Sequence, residues 1–398
     1  MQLSLFTEEQ RIPQISIEDL FSAYISCRRY KRNTANAIAF EVDYESNLVK
    51  LCEEINNGIY EPGRSITFIV NRPVKREIFA ADFRDRVVHH LIINKLNPFF
   101  EREFIYDSYA CRVGKGTLLG IRRLDSFIRR CSKNYTKDCY VLKLDIKGFF
   151  MCINKRLLFE NLKVFIEDKY KEQDIYLIID LCRKVIFYDP TIGCVIKGSR
   201  KNWQGLPVDK SLFCSPKGSG LPIGNLTSQV FANFYMNPFD HFIKHDLDFK
   251  YYGRYVDDFI LVHTDKEYLK SLIPKIRSFL ELELNLTLHP NKIYLQHYTK
   301  GVKYLGAVIK PYRTYIAKRT KGNFYEAIKR QNLIARDHKP TKKEKEHFLS
   351  SMNSYLGLMK HHKTYKLRKN IIKSLSGWWW NHFYLSEGIS KLSLGNRN

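Results

Sequence analysis

The chain is poor in acidic residues. Its 41 Asp and Glu stand against 66 Lys and Arg, a formal net charge of +25 over 398 residues. A surplus of that size calls for a partner of opposite sign: nucleic acid, an anionic membrane or an acidic protein. Long apolar runs are also missing, with nothing approaching the ~20 residues that cross a bilayer. The start, MQLSLFTEEQ, has neither the basic region nor the apolar core of a secretion signal. A cytoplasmic protein with no membrane partner is therefore expected. Glycine (20) and proline (13) are too sparse for a low-complexity chain. The nine cysteines form no CxxC pair and no Cys/His spacing of a zinc site, so they read as small core residues in a reducing compartment.

What is present is hydrophobic (44%) and aromatic (14%) material enough for a sizeable core and two or three domains. The charge is uneven: residues 311–398 hold 19 Lys and Arg against 5 Asp and Glu, so +14 of the +25 lies in that stretch. Aromatic residues run through it (Tyr312, Tyr315, Phe324, Tyr355, Trp378 to Trp380), unlike a simple polybasic lipid anchor. Cations for phosphate with rings for packing or stacking fit nucleic acid better.

Periodicity organises the rest. Residues 17–57 read as helices carrying the basic stretch CRRYKRNTAN, and SITFIV (65–70) alternates like a strand. Helical spacing follows from Arg86 and again over Leu118–Arg130, where Leu124, Phe127 and Ile128 point inward and Arg122, Arg123, Arg129 and Arg130 outward. VLKLDIKGFF (141–150) opens as a buried strand, 170–186 is helical, and 187–217 is an irregular insertion. GSGLPIGNLTSQVFANFYM (218–236) leads from a glycine-punctuated loop into a helix. GRYVDDFILV (253–262) reads as strand, Asp-Asp turn, strand. A helix over 266–281, a strand near Lys292–Leu295 and VKYLGAVI (302–309) follow, then a basic helical stretch with one apolar face from Phe348 to Met359. This order predicts an α+β core with an appended helical domain.

Asp257 and Asp258 pose the sharpest question. Asp favours turns for local hydrogen-bonding reasons, so an acidic solvent-facing turn is one reading. The apolar flanks supply another, because carboxylates packed against such a surface are costly unless a cation neutralises them. Asp145 also ends a strand-like run, where it could cap a following helix or join the pair on an adjacent strand. Three carboxylates so gathered can hold two Mg²⁺ ions about 4 Å apart for phosphoryl transfer.

YVDD, LDIKGFF, GLPIGNLTSQ, REIFAADFRDRVVHHLI (76–92), LHPNKIYLQ and VKYLG stand in one order over roughly residues 60–310. With these motifs the chain resembles the reverse transcriptases. The resemblance implies a right-hand polymerase of fingers, palm with antiparallel sheet and helical thumb. Residues 1–58 would be an N-terminal helical extension, 59–310 fingers and palm, and 311–398 the basic thumb. It implies that Asp145, Asp257 and Asp258 are catalytic metal carboxylates, with the Ile146 carbonyl as a further ligand and Mg²⁺ (or Mn²⁺ in its place) as the ion. Phe150 matches the ring that excludes a ribose 2′-OH; without the motif it reads as core. Arg76 and Arg86 match cations that grip the triphosphate, Gly224 lies in the nucleotide-contacting loop, and Lys292 matches a lysine that protonates pyrophosphate, although a surface lysine fits that position equally.

The central loop departs from the QGxxxSP form of many relatives, reading IGNLTSQ with Ile223 first and Gln229 last. That form resembles enzymes of diversity-generating retroelements and defence-associated bacterial reverse transcriptases, and Ile in place of a nucleotide-touching Gln implies low fidelity. The expected function is RNA-directed DNA synthesis from dNTPs on a dedicated non-coding RNA, in antiviral defence. The alternatives are mutagenic retrohoming, a non-catalytic maturase-like RNA scaffold, and a template-independent or protein-primed DNA polymerase. An accessory protein or a second copy is a further expected partner. Lys360, Lys363, Lys366, Arg368 and Lys369 are the expected nucleic-acid contacts, with Arg28, Arg29, Lys31 and Arg32 as the second candidate surface.

Overall fold

The computed structural model describes residues 14–29, 34–71, 74–386 and 388–395. Three helices lead: α1 (Ile17–Arg28), α2 (Ala35–Glu41) and α3 (Tyr44–Asn56). Ser16 caps α1 by accepting from the Asp19 amide at 3.1 Å. Leu20, Ala23, Tyr24 and Phe40 pack their apolar face into the main core. A hairpin follows, β1 (Ile66–Val70) and β2 (Arg76–Ala80), then the long helix α4 (Phe83–Glu103), started by the Asp82 side chain on the Arg84 amide.

Next come α5 (Thr117–Cys131), β3 (Tyr140–Asp145), the single turn α6 (Phe149–Cys152), α7 (Lys155–Lys169) and α8 (Ile175–Phe187). The insertion 187–217 is more ordered than its turn-rich composition suggests. It adds β4 (Val195–Ile196), parallel to β1, and three short 3-10 turns. The chain continues through α9 (Leu226–Tyr235), α10 (Asn237–His241), β5 (Tyr252–Tyr255), β6 (Asp258–His263) and α11 (Lys266–Leu284). Then follow β7 (Tyr294–His297), β8 (Val302–Tyr304), β9 (Ala307–Lys310) and β10 (Arg313–Ile316). VKYLGAVI forms a hairpin: Leu305 and Gly306, both at positive φ, turn β8 back onto β9.

The central sheet is antiparallel throughout, in the order β5-β6-β3-β7. Side chains alternate across its faces. Leu142, Leu144, Phe259 and Leu261 enter the main core with α4, α7, α9 and α11. Val141, Ile260 and Val262 enter a second core with α5 and the β8–β9 hairpin. On α5 the inward residues are as expected, but Arg123 does not face solvent freely: its guanidinium binds Asp107 through two bonds of 2.6 and 2.8 Å.

The C-terminal elements are α12 (Lys318–Asp337), α13 (Lys342–Met359), α14 (Tyr365–Lys373), α15 (Gly377–Trp380), β11 (Phe383–Ser386) and β12 (Lys391–Leu394). Thr341 and Glu344 form a capping box at the start of α13. An apolar face such as Phe348–Met359 could have packed on the sheet domain. It packs instead within this segment, with Phe324, Ile371 and Trp379, in a separate core. Trp379 is its centre, stacked on Phe348 at 3.9 Å between ring centroids. Trp379→Ala should cost about 3–5 kcal/mol, and calorimetry should show a C-terminal transition moving to lower temperature ahead of the rest. A single unshifted transition would mean that this core does not melt as its own unit.

Candidate active site

Asp145 closes β3 and pairs directly with Asp258, which opens β6. Val256 and Asp257 alone join β5 to β6, since Tyr255 pairs with Asp258. The structure therefore brings all three aspartates to one end of the sheet. Parity adds a fourth residue: Lys143 shares the face of Asp145, and its Nζ lies 2.9 Å from Asp258 Oδ2. Lys292, on the segment entering β7, places Nζ 2.7 Å from Asp145 Oδ1. The sheet end is further closed by the Ile146 amide on the Asp257 carbonyl (3.3 Å) and the His289 amide on the Asp145 carbonyl (2.8 Å).

A two-residue turn of this kind demands left-handed backbone, and Val256 supplies it at φ +58°. That region is costly for a β-branched residue. Arg254 holds it there by donating from Nη1 to the Val256 carbonyl at 2.9 Å. The same guanidinium is fully buried and binds Asp240 through two bonds of 2.8 and 2.6 Å. Tyr252 Oη adds a third bond to Asp240 at 2.6 Å. Arg254 also reaches Asn233 Oδ1 on α9 and Ser108 Oγ, each at 3.3 Å. Its backbone bonds Asp107 and Tyr109 on either side, so the stretch DSYA (107–110) forms the wall behind the turn.

Burial lifts the Asp257 carboxyl from its ordinary 3.8 to about 6, and the neighbouring Asp145 charge adds to this. Burial also raises Asp258, against the pull of Lys143. Asp258 Oδ1 is buried without a hydrogen-bond partner. Among the described residues no three His, Cys, Asp or Glu side chains are gathered as a ready metal cage. Lys292 and Lys143 each occupy one carboxylate oxygen, on Asp145 and Asp258 respectively. The donor chemistry nevertheless fits a hard divalent cation, being three carboxylates, one with a free buried oxygen, beside the Ile146 backbone.

The expected nucleotide-contacting residues surround β2. Phe150 is half-buried against Phe79, Met151 and Leu212 as well as the main core. Gly224 sits at φ +132°, and a Cβ there would meet the Phe79 carbonyl at 2.8 Å. Only glycine lets this loop lie on β2, where the Phe79 amide bonds the Ile223 carbonyl at 2.9 Å. Arg76, at the start of β2, is exposed. Arg86 is half-buried, with Nε donating to the Ala81 carbonyl at 2.8 Å.

Of the expected nucleic-acid contacts, Lys360, Lys363, Lys366, Lys369 and Arg29 are solvent-accessible to differing degrees. Arg368 is not. It is 8% exposed and donates to the Ile389 carbonyl and to Ser390 Oγ, tying α14 to the turn before β12. Arg28 is also engaged, with Nε 2.6 Å from Glu41, joining α1 to α2. Lys31 and Arg32 lie outside the described residues.

Comparison with known proteins defines the class. Residues 74–309, more than half of the chain, match the family described as "Reverse transcriptase (RNA-dependent DNA polymerase)". The chain belongs to the reverse transcriptase family. Among its relatives, "Nuclear intron maturase 4, mitochondrial" of Arabidopsis thaliana is 24% identical over 233 residues, covering 56% of this chain. This chain spans only 24% of that protein's length. "Protein YkfC" of Escherichia coli (strain K12) is 22% identical over 290 residues, covering 64% of this chain and 69% of its own. Among solved structures, telomerase from Candida albicans with a fragment of telomeric RNA superposes with a TM-score of 0.47 at 13% identity, over 85% of this chain and 60% of that one.

The raised Asp257 has a consequence for stability. The folded chain holds this proton more tightly than the unfolded chain, so its stabilising contribution is full below 3.8 and lost as pH rises through about 6. In chelator, Asp257→Asn should remove that loss, gaining up to about 3 kcal/mol at neutral pH. Urea melts of both proteins across the acid range test this, and parallel stability curves would contradict it.

Proposed function

We propose that the chain is an RNA-directed DNA polymerase whose catalytic centre is Asp145, Asp257 and Asp258. The observation that carries this is their convergence at one end of an antiparallel sheet, beside a glycine loop and exposed cations. These carboxylates and the Ile146 carbonyl would hold two Mg²⁺ ions. When bound, such ions activate the primer 3′-hydroxyl and neutralise charge on the departing pyrophosphate. The reaction joins the 3′ oxygen to the α-phosphorus as the bond to pyrophosphate breaks, and it depends on positioning more than covalent help. Arg76 and Arg86 bind the triphosphate, Gly224 seats the nucleotide-contacting loop on β2, and the Phe150 ring excludes a 2′-OH. Lys292 Nζ stands where it can give a proton to pyrophosphate.

Residues 59–310 serve as fingers and palm on this reading, 1–58 as an N-terminal extension and 311–398 as the thumb. The separate C-terminal core supports a thumb that moves as a unit. The accessible Lys360, Lys363, Lys366 and Lys369 fit a phosphate backbone there. The template is a dedicated non-coding RNA, and the IGNLTSQ loop favours a bacterial defence role, with mutagenic retrohoming next. The name of the Arabidopsis relative supports a second reading, an RNA-binding maturase-like protein. The intact carboxylates favour catalysis over a pure scaffold.

Two measurements test the reading. Protein supplied with RNA template, primer, dNTPs and Mg²⁺ should make DNA, and Asp257→Ala/Asp258→Ala should abolish synthesis while leaving RNA affinity near wild type and the protein folded. Wild-type synthesis by that double variant would dismiss the site. Replacing Lys360, Lys363, Lys366 and Lys369 by Gln should weaken primer–template affinity and flatten its log–log salt slope by roughly 0.7–0.9 for each phosphate no longer neutralised. Their activity should partly recover at low salt; an unchanged slope would remove the thumb surface.

A further inference from the structure

Glu77 is a buried carboxylate with no place in the chemistry above. It stands on β2, is 1% exposed, and lies next to Arg76. All three of its partners come from the insertion 187–217. Trp203 Nε1 donates at 2.6 Å, Ser211 Oγ at 2.8 Å and the Leu212 amide at 2.5 Å. Charge-assisted bonds of this kind are roughly twice as strong as neutral ones. They gather residues more than a hundred positions away in the sequence onto one carboxylate.

What the carboxylate fixes is Leu212. That side chain joins Phe79 and Met151 in a small buried cluster, and the Phe150 ring packs on this cluster. The insertion also leans on the turn that launches Phe150: Gly148 sits at φ +56°, and a Cβ there would meet the Asp209 carbonyl at 3.0 Å. The Phe150 backbone is pinned separately, by the Leu221 amide on its carbonyl at 2.8 Å. The main chain of Phe150 is thus held by the glycine loop, and its ring lies between the main core and a cluster whose position depends on Glu77.

We propose that Glu77 is a positioning residue for sugar selection, setting the Phe150 ring through Leu212 and the insertion, and so the preference for dNTP over rNTP. This rests on the role given to Phe150 above. Glu77→Gln is the informative change. One amide oxygen can still accept, but the NH₂ group then faces a second donor, Trp203 Nε1 or the Leu212 amide. Ser211→Ala removes a single bond from the insertion side and keeps the carboxylate.

The test uses the full chain on poly(rA)/oligo(dT), comparing kcat/KM for dTTP and UTP. Glu77→Gln should lower the dTTP:UTP preference by about tenfold, the factor matching one hydrogen bond of roughly 1.4 kcal/mol. Ser211→Ala should lower it less. Primer–template Kd should be unchanged in both. Glu77→Gln/Phe150→Ala should be no less selective than Phe150→Ala alone, because both changes act on one ring. General loosening would lower both substrates together and leave the ratio intact. A wild-type ratio in Glu77→Gln, with Phe150→Ala altered, overturns the role of Glu77 and spares that of Phe150. A wild-type ratio in Phe150→Ala overturns both. Should Glu77→Gln fail to fold, Ser211→Ala decides in the same way, an unchanged ratio counting against the proposal.

Discussion

The buried pair of Arg254 and Asp240 is the contact on which the end of the sheet carrying Asp257 and Asp258 depends. A guanidinium with no exposed surface is tolerable only with its charge matched and its donors satisfied. Asp240 matches the charge, while Asn233, Ser108 and the Val256 carbonyl take the remaining donors. Each partner belongs to a different part of the chain: α10, α9, the segment before α5 and the hairpin turn. Removing one member would leave the other ionised and unpaired, at a cost of about 3–5 kcal/mol. The strained turn at Val256 persists because this network over-determines it. Placement of Asp257 and Asp258 is therefore a property of the whole sheet domain, not of four residues in a hairpin.

Much of this is legible in the amino-acid order itself. Alternation and the adjacent aspartates identify the β5–β6 hairpin, and the apolar run before Asp145 identifies β3. Helix α7 goes unpredicted, although the spacing of Leu158, Leu162 and Ile166 carries its signal. Parity can find Lys143, two residues before Asp145 and hence on its face of the strand. The roles of Arg254 and Glu77 are beyond sequence reasoning. The side chains they bind lie 14 to 146 positions away, and nothing local distinguishes a buried arginine from one in solvent. Arg368 illustrates the same limit: in a stretch of basic residues, burial singles out one guanidinium for structure and leaves its neighbours outside.

The two faces of the central sheet divide the labour of support. The main core fixes β3 and β6 from one side with long helices, a rigid and extensive contact. The second core, formed with α5 and the short β8–β9 hairpin, is smaller. Asp145, Lys143 and Asp258 all project toward that smaller side. These three charged groups thus stand over the smaller core, at the open end of a strand pair whose other face is held by the larger one.

Lys143 and Lys292 give the site a built-in set of counter-ions. Occupation by a divalent cation would then be an exchange in which two ammonium groups give way, not the filling of an unbalanced negative hole. Such an exchange would make the apparent affinity for the ion weaker than that of three bare carboxylates. It also means that the fold need not wait for the ion to relieve repulsion between Asp145 and Asp258. The charges of Asp145 and Asp258 are thereby balanced by side chains of the chain itself.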